Sequence, residues 1–264
     1  MKKLMIVLAA VAALAGCSGR GTLTDGRLVV GFDAEFPPYG FKQGDEYVGF
    51  DLDLARELCV RKGWTFVANP INWDSKDMEL GSGAIDCIWN GFTMQGREDA
   101  YTWTKPYVDN SQVVIVKAGS AVASFADLAG LKVGVQTDTP VLKALSAGGD
   151  CEKLGATFKS LVVMPSYNQA VMDLESGAVD AVALDIGVAK KKMSDMPGKF
   201  RMLAEIVMSE TYGIGFKKGN EALRDQVESE LVRLFADGTA AKIAAKYGIE
   251  PTALILKSRV VGRG

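Results

Sequence analysis

Two short stretches of this chain nearly copy one another: Ser82-Gly83-Ala84-Ile85-Asp86 and Ser176-Gly177-Ala178-Val179-Asp180. Each follows a helix-like run (75–80 and 167–175) and opens a short apolar run (85–89 and 179–184). Helix, glycine turn and parallel strand form the repeating unit of open α/β sheets, in which ligands sit beyond the carboxyl ends of the strands. Two such units facing each other would frame one cleft with strand ends from both sides. Asn90-Gly91-Phe92-Thr93, with Arg97 just beyond, occupies one of those ends, and Leu184-Asp185 occupies the other. A fixed cation on one wall and a fixed anion on the other is the charge pattern that grips a zwitterion.

The rest of the chain keeps the alternation. Strands are expected at 28–32, 65–68, 113–116, 132–135, 161–164 and 212–216. Helices are expected from Asp51, as N-cap, to Lys62, then over 140–146 and 186–196. In the closing helix Leu223, Val227, Leu231 and Leu234 share one face, with Asn220 as cap and Gly238 at the C′ position, and a short helix over 239–247 follows. The pattern predicts an α/β fold with helices on both faces of its sheets. Two lobes are expected, one from 28–112 and 213–264 and the other from 118–207. Hinge strands near 113–117 and 208–212 would cross between them, and two crossings permit closure around a ligand.

The N-terminus reads as an export signal over 1–16: Lys2 and Lys3, then an apolar run of about 12 residues, too short for the roughly 20 of a membrane span. Leu14-Ala15-Gly16-Cys17 resembles a bacterial lipobox, which implies cleavage before Cys17 and lipid on its thiol. The polar stretch 17–27 would then tether the folded part to a membrane. Formal charge is −2 and there is no basic stripe, so nucleic acid is not an expected partner. Histidine is absent, which removes His-based triads and the commonest metal ligand. Cys59, Cys87 and Cys151 have no metal-ligand spacing. Cys59 and Cys87 could pair in an oxidising compartment or stay buried as free thiols. No metal and no cofactor are expected.

Phe36-Pro37-Pro38-Tyr39, Gly49-Phe50-Asp51-Leu52-Asp53-Leu54-Ala55, the unit 82–93, Arg97-Glu98, Pro106-Tyr107, Lys132-Val133-Gly134-Val135-Gln136 and Tyr212-Gly213-Ile214-Gly215-Phe216 together resemble the family 3 extracellular solute-binding proteins of polar-amino-acid ABC transporters. The resemblance runs from about Leu28 to Tyr247. It implies a two-lobe periplasmic-binding-protein (Venus-flytrap) fold with two hinge crossings. It also implies a monomeric, exported lipoprotein, in the periplasm or on the outer face of a cell membrane. Its partners would be a free L-amino acid and a membrane permease with its ATPase. Carried over residue by residue, Arg97 would bind the ligand carboxylate with the amides of Gly91 and Thr93 and the Thr93 hydroxyl. A guanidinium suits that role because its planar fork matches a carboxylate. Asp185 would take the ammonium, Phe36 and Trp73 would sandwich the side chain, and Asp33, Asn90 and Leu184 would line its far end. Gln136 and Thr139 complete the implied ligand-binding set.

Two departures stand out. Arg97 lies four residues after Thr93, where the family commonly has five, and Glu98 takes the usual slot. After Gln136 the chain reads Thr137-Asp138-Thr139-Pro140 in place of a Gly-Thr/Ser-Thr/Ser loop. Pro140 has no amide hydrogen to give a carboxylate. Thr139 would either replace that contact or cap a helix beginning at Pro140. The side-chain end suggests arginine, lysine, histidine or glutamine as ligand, and no second cation is expected there for an acidic one. The alternative is a periplasmic enzyme on the same scaffold, similar to a cyclohexadienyl dehydratase. It would need Asp33 or Glu35 as its acid or base.

Overall fold

The computed structural model describes Leu23 and residues 25–256. The predicted signal peptide, Cys17, most of the tether and the basic tail 257–264 lie outside the described residues. In chain order the elements of the first half are β1 (Arg27–Phe32), a small hairpin sheet of β2 (Glu35–Phe36), β3 (Gly40–Gln43) and β4 (Glu46–Val48), α1 (Phe50–Lys62), β5 (Thr65–Pro70), α2 (Lys76–Ser82), β6 (Cys87–Thr93) and β7 (Tyr101–Trp103). The long strand β8 (Val108–Lys117) leads to β9 (Lys132–Gln136), α3 (Pro140–Leu145), α4 (Glu152–Gly155), β10 (Ser160–Met164), α5 (Tyr167–Ser176), β11 (Ala181–Asp185) and α6 (Ile186–Asp195). Strand β12 (Phe200–Lys217) returns, and α7 (Glu221–Ala236) and α8 (Thr239–Lys246) close the fold.

The large sheet runs β10-β9-β11-β8-β12-β6-β1-β5, with β7 on β12. Each end is a parallel three-strand unit whose first strand lies in the middle (β5-β1-β6 and β10-β9-β11). Between them β8 and β12 run antiparallel and belong to both. The repeated pentapeptide builds the two units with the same bonds. Helix α2 stops at Gly83 (φ 83°) and α5 at Gly177 (φ 87°), left-handed positions that favour glycine. The Ala84 amide returns to the Glu79 carbonyl at 3.0 Å, and that of Ala178 to Asp173 at 2.8 Å. Asp86 then exchanges two bonds with Val29: its amide donates to the Val29 carbonyl at 2.8 Å and its Oδ2 accepts from the Val29 amide at 2.7 Å. Asp180 does the same with Lys132, both bonds at 2.9 Å. In each half an aspartate fastens the central strand near its start.

Several local expectations change. Asp51 is not the N-cap of α1. Gly49 (φ 140°) takes that place because a Cβ there would collide with the Tyr39 carbonyl. Asp51 is fully buried instead, its carboxylate accepting from the Gly91 amide at 2.6 Å and the Tyr107 hydroxyl at 2.8 Å. Burial pushes its carboxyl up to about 7. The strand expected at 212–216 is only the last part of an 18-residue strand, whose earlier part is broken by polar Glu205, Ser209 and Glu210 and exposes Ile206. Asn220 stands at the N-cap of α7 without a side-chain bond, while Gly238 does follow its end in the left-handed region. Cys59 and Cys87 are buried free thiols, and burial raises that of Cys59 to about 12.

Candidate functional site

The carboxyl ends of β1, β5 and β6 face those of β9, β10 and β11 across one narrow cavity. Phe36, Trp73, Asn90, Gly91, Thr93 and Arg97 line it from the first half, and Gln136, Thr139, Pro140 and Asp185 from the second. About 20 Å³ is left for the centres of water-sized molecules, room for one or two waters. The walls therefore touch.

Arg97 sits in the loop after β6, which is held by the bond of its amide to the Met94 carbonyl (3.0 Å) and by the Trp103 indole on its own carbonyl (3.1 Å). Its guanidinium lies 5.1 Å from the Phe92 ring centre and donates to the Thr93 carbonyl at 3.3 Å and to the Asp138 carbonyl at 2.7 Å. The second bond crosses the cavity, as does the bond from the Trp73 indole to the same carbonyl at 3.3 Å. Asp138 is the single described non-glycine residue with positive φ (52°), a conformation that aspartate tolerates better than most residues. Its carboxylate pairs with Lys76. Lys76 is a buried cation beside the cleft that the sequence reading did not anticipate. Thr139 caps α3: its Oγ accepts the Leu142 amide at 3.4 Å and donates to the Gln136 carbonyl at 2.8 Å, with Pro140 as first helical residue.

Asp33 borders the cavity through two of its wall residues. Its amide donates to Asn90 Oδ1 at 3.0 Å, and its Oδ2 accepts from Gln136 Nε2 at 2.8 Å across the cleft. Burial raises its carboxyl above the ordinary range despite the bonds from Glu35 and Gln136. Asp185 ends β11 and accepts from Asn110 Nδ2 at 3.0 Å and from the Tyr212 hydroxyl. Beside it lies a second buried acid, Glu210 of β12. Its Oε1 accepts from Asn110 Nδ2 and Gln112 Nε2, both at 2.6 Å, and its Oε2 from the Thr93 hydroxyl at 3.0 Å. Burial first, and then the Asp185 charge, push the Glu210 carboxyl up to about 8, and burial also raises Asp185.

The cavity thus gathers nine of the eleven expected residues on its walls, with Asp33 bonded to two of them, Asn90 and Gln136. Leu184 is different: it is fully buried in the hydrophobic core, because alternation along β11 points it away from the face that presents Asp185. The Gly91 amide, expected to be free for a carboxylate, is taken by Asp51. Glu210, Asn110 and Tyr212 were missed. Period-two alternation back from Tyr212 puts Glu210 on its side of the strand, and that was the available signal.

A two-lobed α/β sheet with both sets of strand ends on one cleft defines a ligand-binding protein of the periplasmic-binding type. Residues 28–250 match the bacterial extracellular solute-binding proteins, family 3, and the chain belongs to that family. It is 29% identical over 254 residues to ABC transporter arginine-binding protein 1 of Escherichia coli, covering 94% of this chain and 99% of that one. With the probable histidine-binding protein of Neisseria gonorrhoeae it shares 31% over 266 residues, covering 94% and 96%. The structure of an ABC uptake transporter substrate-binding protein from Streptococcus pneumoniae with bound histidine superposes with TM-score 0.81 at 28% identity, covering 86% of this chain and 94% of that one.

Proposed function

We propose that this protein is the substrate-binding component of an amino-acid ABC transporter and closes its two lobes around a free L-amino acid with a basic or polar side chain. The observation that carries this reading is the placement of Arg97 and Asp185 in one cavity, on opposite lobes, at the ends of strands built by the same repeated unit. Arg97 would hold the carboxylate, together with the Thr93 hydroxyl, and Asp185 the ammonium. Phe36 and Trp73 would cover the side chain, whose far end would meet Asp33, Asn90 and Gln136. An acidic terminus suits arginine, lysine, histidine or glutamine, and the arginine- and histidine-binding relatives support that class. Lys76 does not redirect the site to an acidic ligand, because Asp138 already neutralises it.

An amino acid cannot enter so narrow a space unless the walls part. Residues 28–112 and 213–264 would move against 118–207 on hinges near 113–117 and 208–212. Capture, closure and presentation to the permease then follow without a catalytic step. The protein would act as an exported monomer, anchored through lipid on Cys17.

The test is a thermal-shift screen of the lipid-free protein, unfolded and refolded to strip bound ligand, against the twenty L-amino acids. Ligand at about 100 times its dissociation constant adds about 2.7 kcal/mol to folding. For a chain of this size that is a rise of roughly 5–10 °C. A basic or polar hit that disappears in Arg97→Ala and Asp185→Ala is the expected result. No shift with any amino acid would sink the reading.

A further inference from the structure

Two buried carboxylates stand side by side where the ligand ammonium is placed. Asp185 reaches the cavity wall from β11. Glu210 reaches toward it from β12, behind the wall, and Asn110 Nδ2 donates to both, at 3.0 Å to Asp185 and 2.6 Å to Glu210. Asp185 is 3% exposed and Glu210 1%. Every group bonded to them is neutral: Asn110 and Gln112 from β8, Thr93 from β6 and the Tyr212 phenol from β12. The other titratable groups that face them are also uncharged, Tyr39 from the loop after β2 and Tyr167 from α5. Arg97, the cation lining the same cavity, is held by the Thr93 and Asp138 carbonyls, and Lys190 and Asp109 border a separate cavity beyond Asn110. Among the described residues no cation is bonded to either acid.

Two adjacent buried carboxylates without a counter-ion do not both ionise at neutral pH, and such a pair titrates as one unit. We propose that Asp185 and Glu210 hold one proton between them and that the ammonium of an arriving amino acid displaces it, so that capture releases a proton. The balance is simple. The O–H bond of the pair opens, its proton passes to water, and the ammonium keeps its own three and becomes the counter-ion of two carboxylates. Glu210 thereby acts as a positioning residue of the ammonium site, through Asn110 and Asp185. The raised carboxyl of Glu210 agrees with this arrangement. A purely structural Glu210 would leave binding indifferent to pH in the neutral range.

This inference rests on the amino-acid reading above, and its test separates the two. L-Arginine and L-glutamine share the α-ammonium and differ in side-chain charge. Each is titrated calorimetrically near neutrality in two buffers of different ionisation enthalpy. The expected result is a buffer-dependent heat that reports proton release, and an affinity that rises with pH by up to about tenfold per unit below the pair's titration. E210Q should bind with no buffer term and no such slope. Equal heats in both buffers with the unaltered protein would overturn the proposal, whatever E210Q does. If neither binds, the amino acid that shifts the melting temperature takes their place; if none of the twenty binds, the ligand reading fails instead, and infrared spectroscopy of the protein alone decides the pair. A protonated carboxylic-acid band at neutral pH that E210Q removes supports the shared proton, and its absence overturns it.

Discussion

Lys76 on α2 and Asp138 in the loop after β9 form an ion pair across the cleft, and Lys76 is 1% exposed. The pair joins the two walls directly, with the Asp138 carbonyl on Arg97 and Trp73 beside it. Removing Asp138 leaves the buried Lys76 ammonium only the longer contact to Asp77 of its own helix, 3.6 Å, and a buried charge that loses its better partner costs more than the pair itself contributes. Asp138→Asn is therefore expected to disfavour closure and weaken ligand binding on the order of tenfold, discounted for the partial exposure of Asp138. Lys76→Met in the same chain should recover part of the loss, because it removes the under-paired buried charge. A double-mutant cycle by calorimetry measures the coupling, and additive effects of the two changes would contradict it.

Gly187, in the first turn of α6, lies against Tyr39 of the other lobe. A Cβ there would come within 2.8 Å of the Tyr39 hydroxyl and 2.9 Å of its ring. Its backbone is ordinary helix, so alanine should help the helix by up to about 1 kcal/mol. Tyr39 is only 2% exposed and is packed edge-on against Phe50 and Tyr212, so it has little room to yield. Gly187→Ala should leave the melting temperature unchanged or slightly raised while lowering ligand affinity. A parallel fall in both would mean that the contact is not a closure contact.

Arg97→Lys should lose most binding, about a hundredfold, although the charge is kept, because an ammonium cannot donate in a planar fork. Its guanidinium already spends one arm on Thr93 and one on Asp138. Thermal stability without ligand should change little in comparison. Near-normal affinity in the lysine variant would remove Arg97 from the carboxylate role.

Stability should fall as pH rises through neutrality. Asp51 has its carboxyl pushed from 3.8 to about 7 and Glu210 from 4.5 to about 8, burial being the main cause in both. A raised carboxyl means that the folded state binds the proton more tightly than the unfolded chain. The contribution is full below the ordinary value and is lost as pH climbs through the folded one. The windows are thus 3.8 to about 7 for Asp51 and 4.5 to about 8 for Glu210. Urea midpoints measured from about pH 5 to about pH 8.5 should decline, and less so in Asp51→Asn and Glu210→Gln. A flat profile would place both groups outside the titrating set.

The sequence disclosed the architecture through spacing, and the site through chemistry that repeats with the architecture. Ser-Gly-Ala-x-Asp can be read because its glycine and aspartate act locally, at a helix end and a strand start. From it, Asp185 and Arg97 follow as strand-end residues. Asp51 was misassigned because an N-cap and a buried acceptor look alike in one dimension: the partners that decide between them, Gly91 and Tyr107, lie 40 and 56 residues away. Lys76 and Asp138 were illegible as a pair for the same reason. Glu210 was hidden by its strand, since a polar residue in a weakly apolar run gives no sign that the opposite strand offers Asn110 and Gln112 to receive it.

The pairing of β12 shifts register three times: twice against β8, on either side of Ile206 between Met202 and Met208, and once against β6 between Gly213 and Gly215. Between those creases, Met208 to Tyr212 pair without a break with Gln112 to Val108. In mechanical terms this is a stiff plate with a compliant fold on either side, since a bulged ladder bends more readily than a regular one. In the proposed closure, torque applied to either lobe would be taken up at its own crease, so the bending attributed to the hinge near 208–212 would flank the segment that carries Glu210 and Tyr212. Glu210 would thus be mounted on the axle, while Asp185, at the end of β11, would swing with its door.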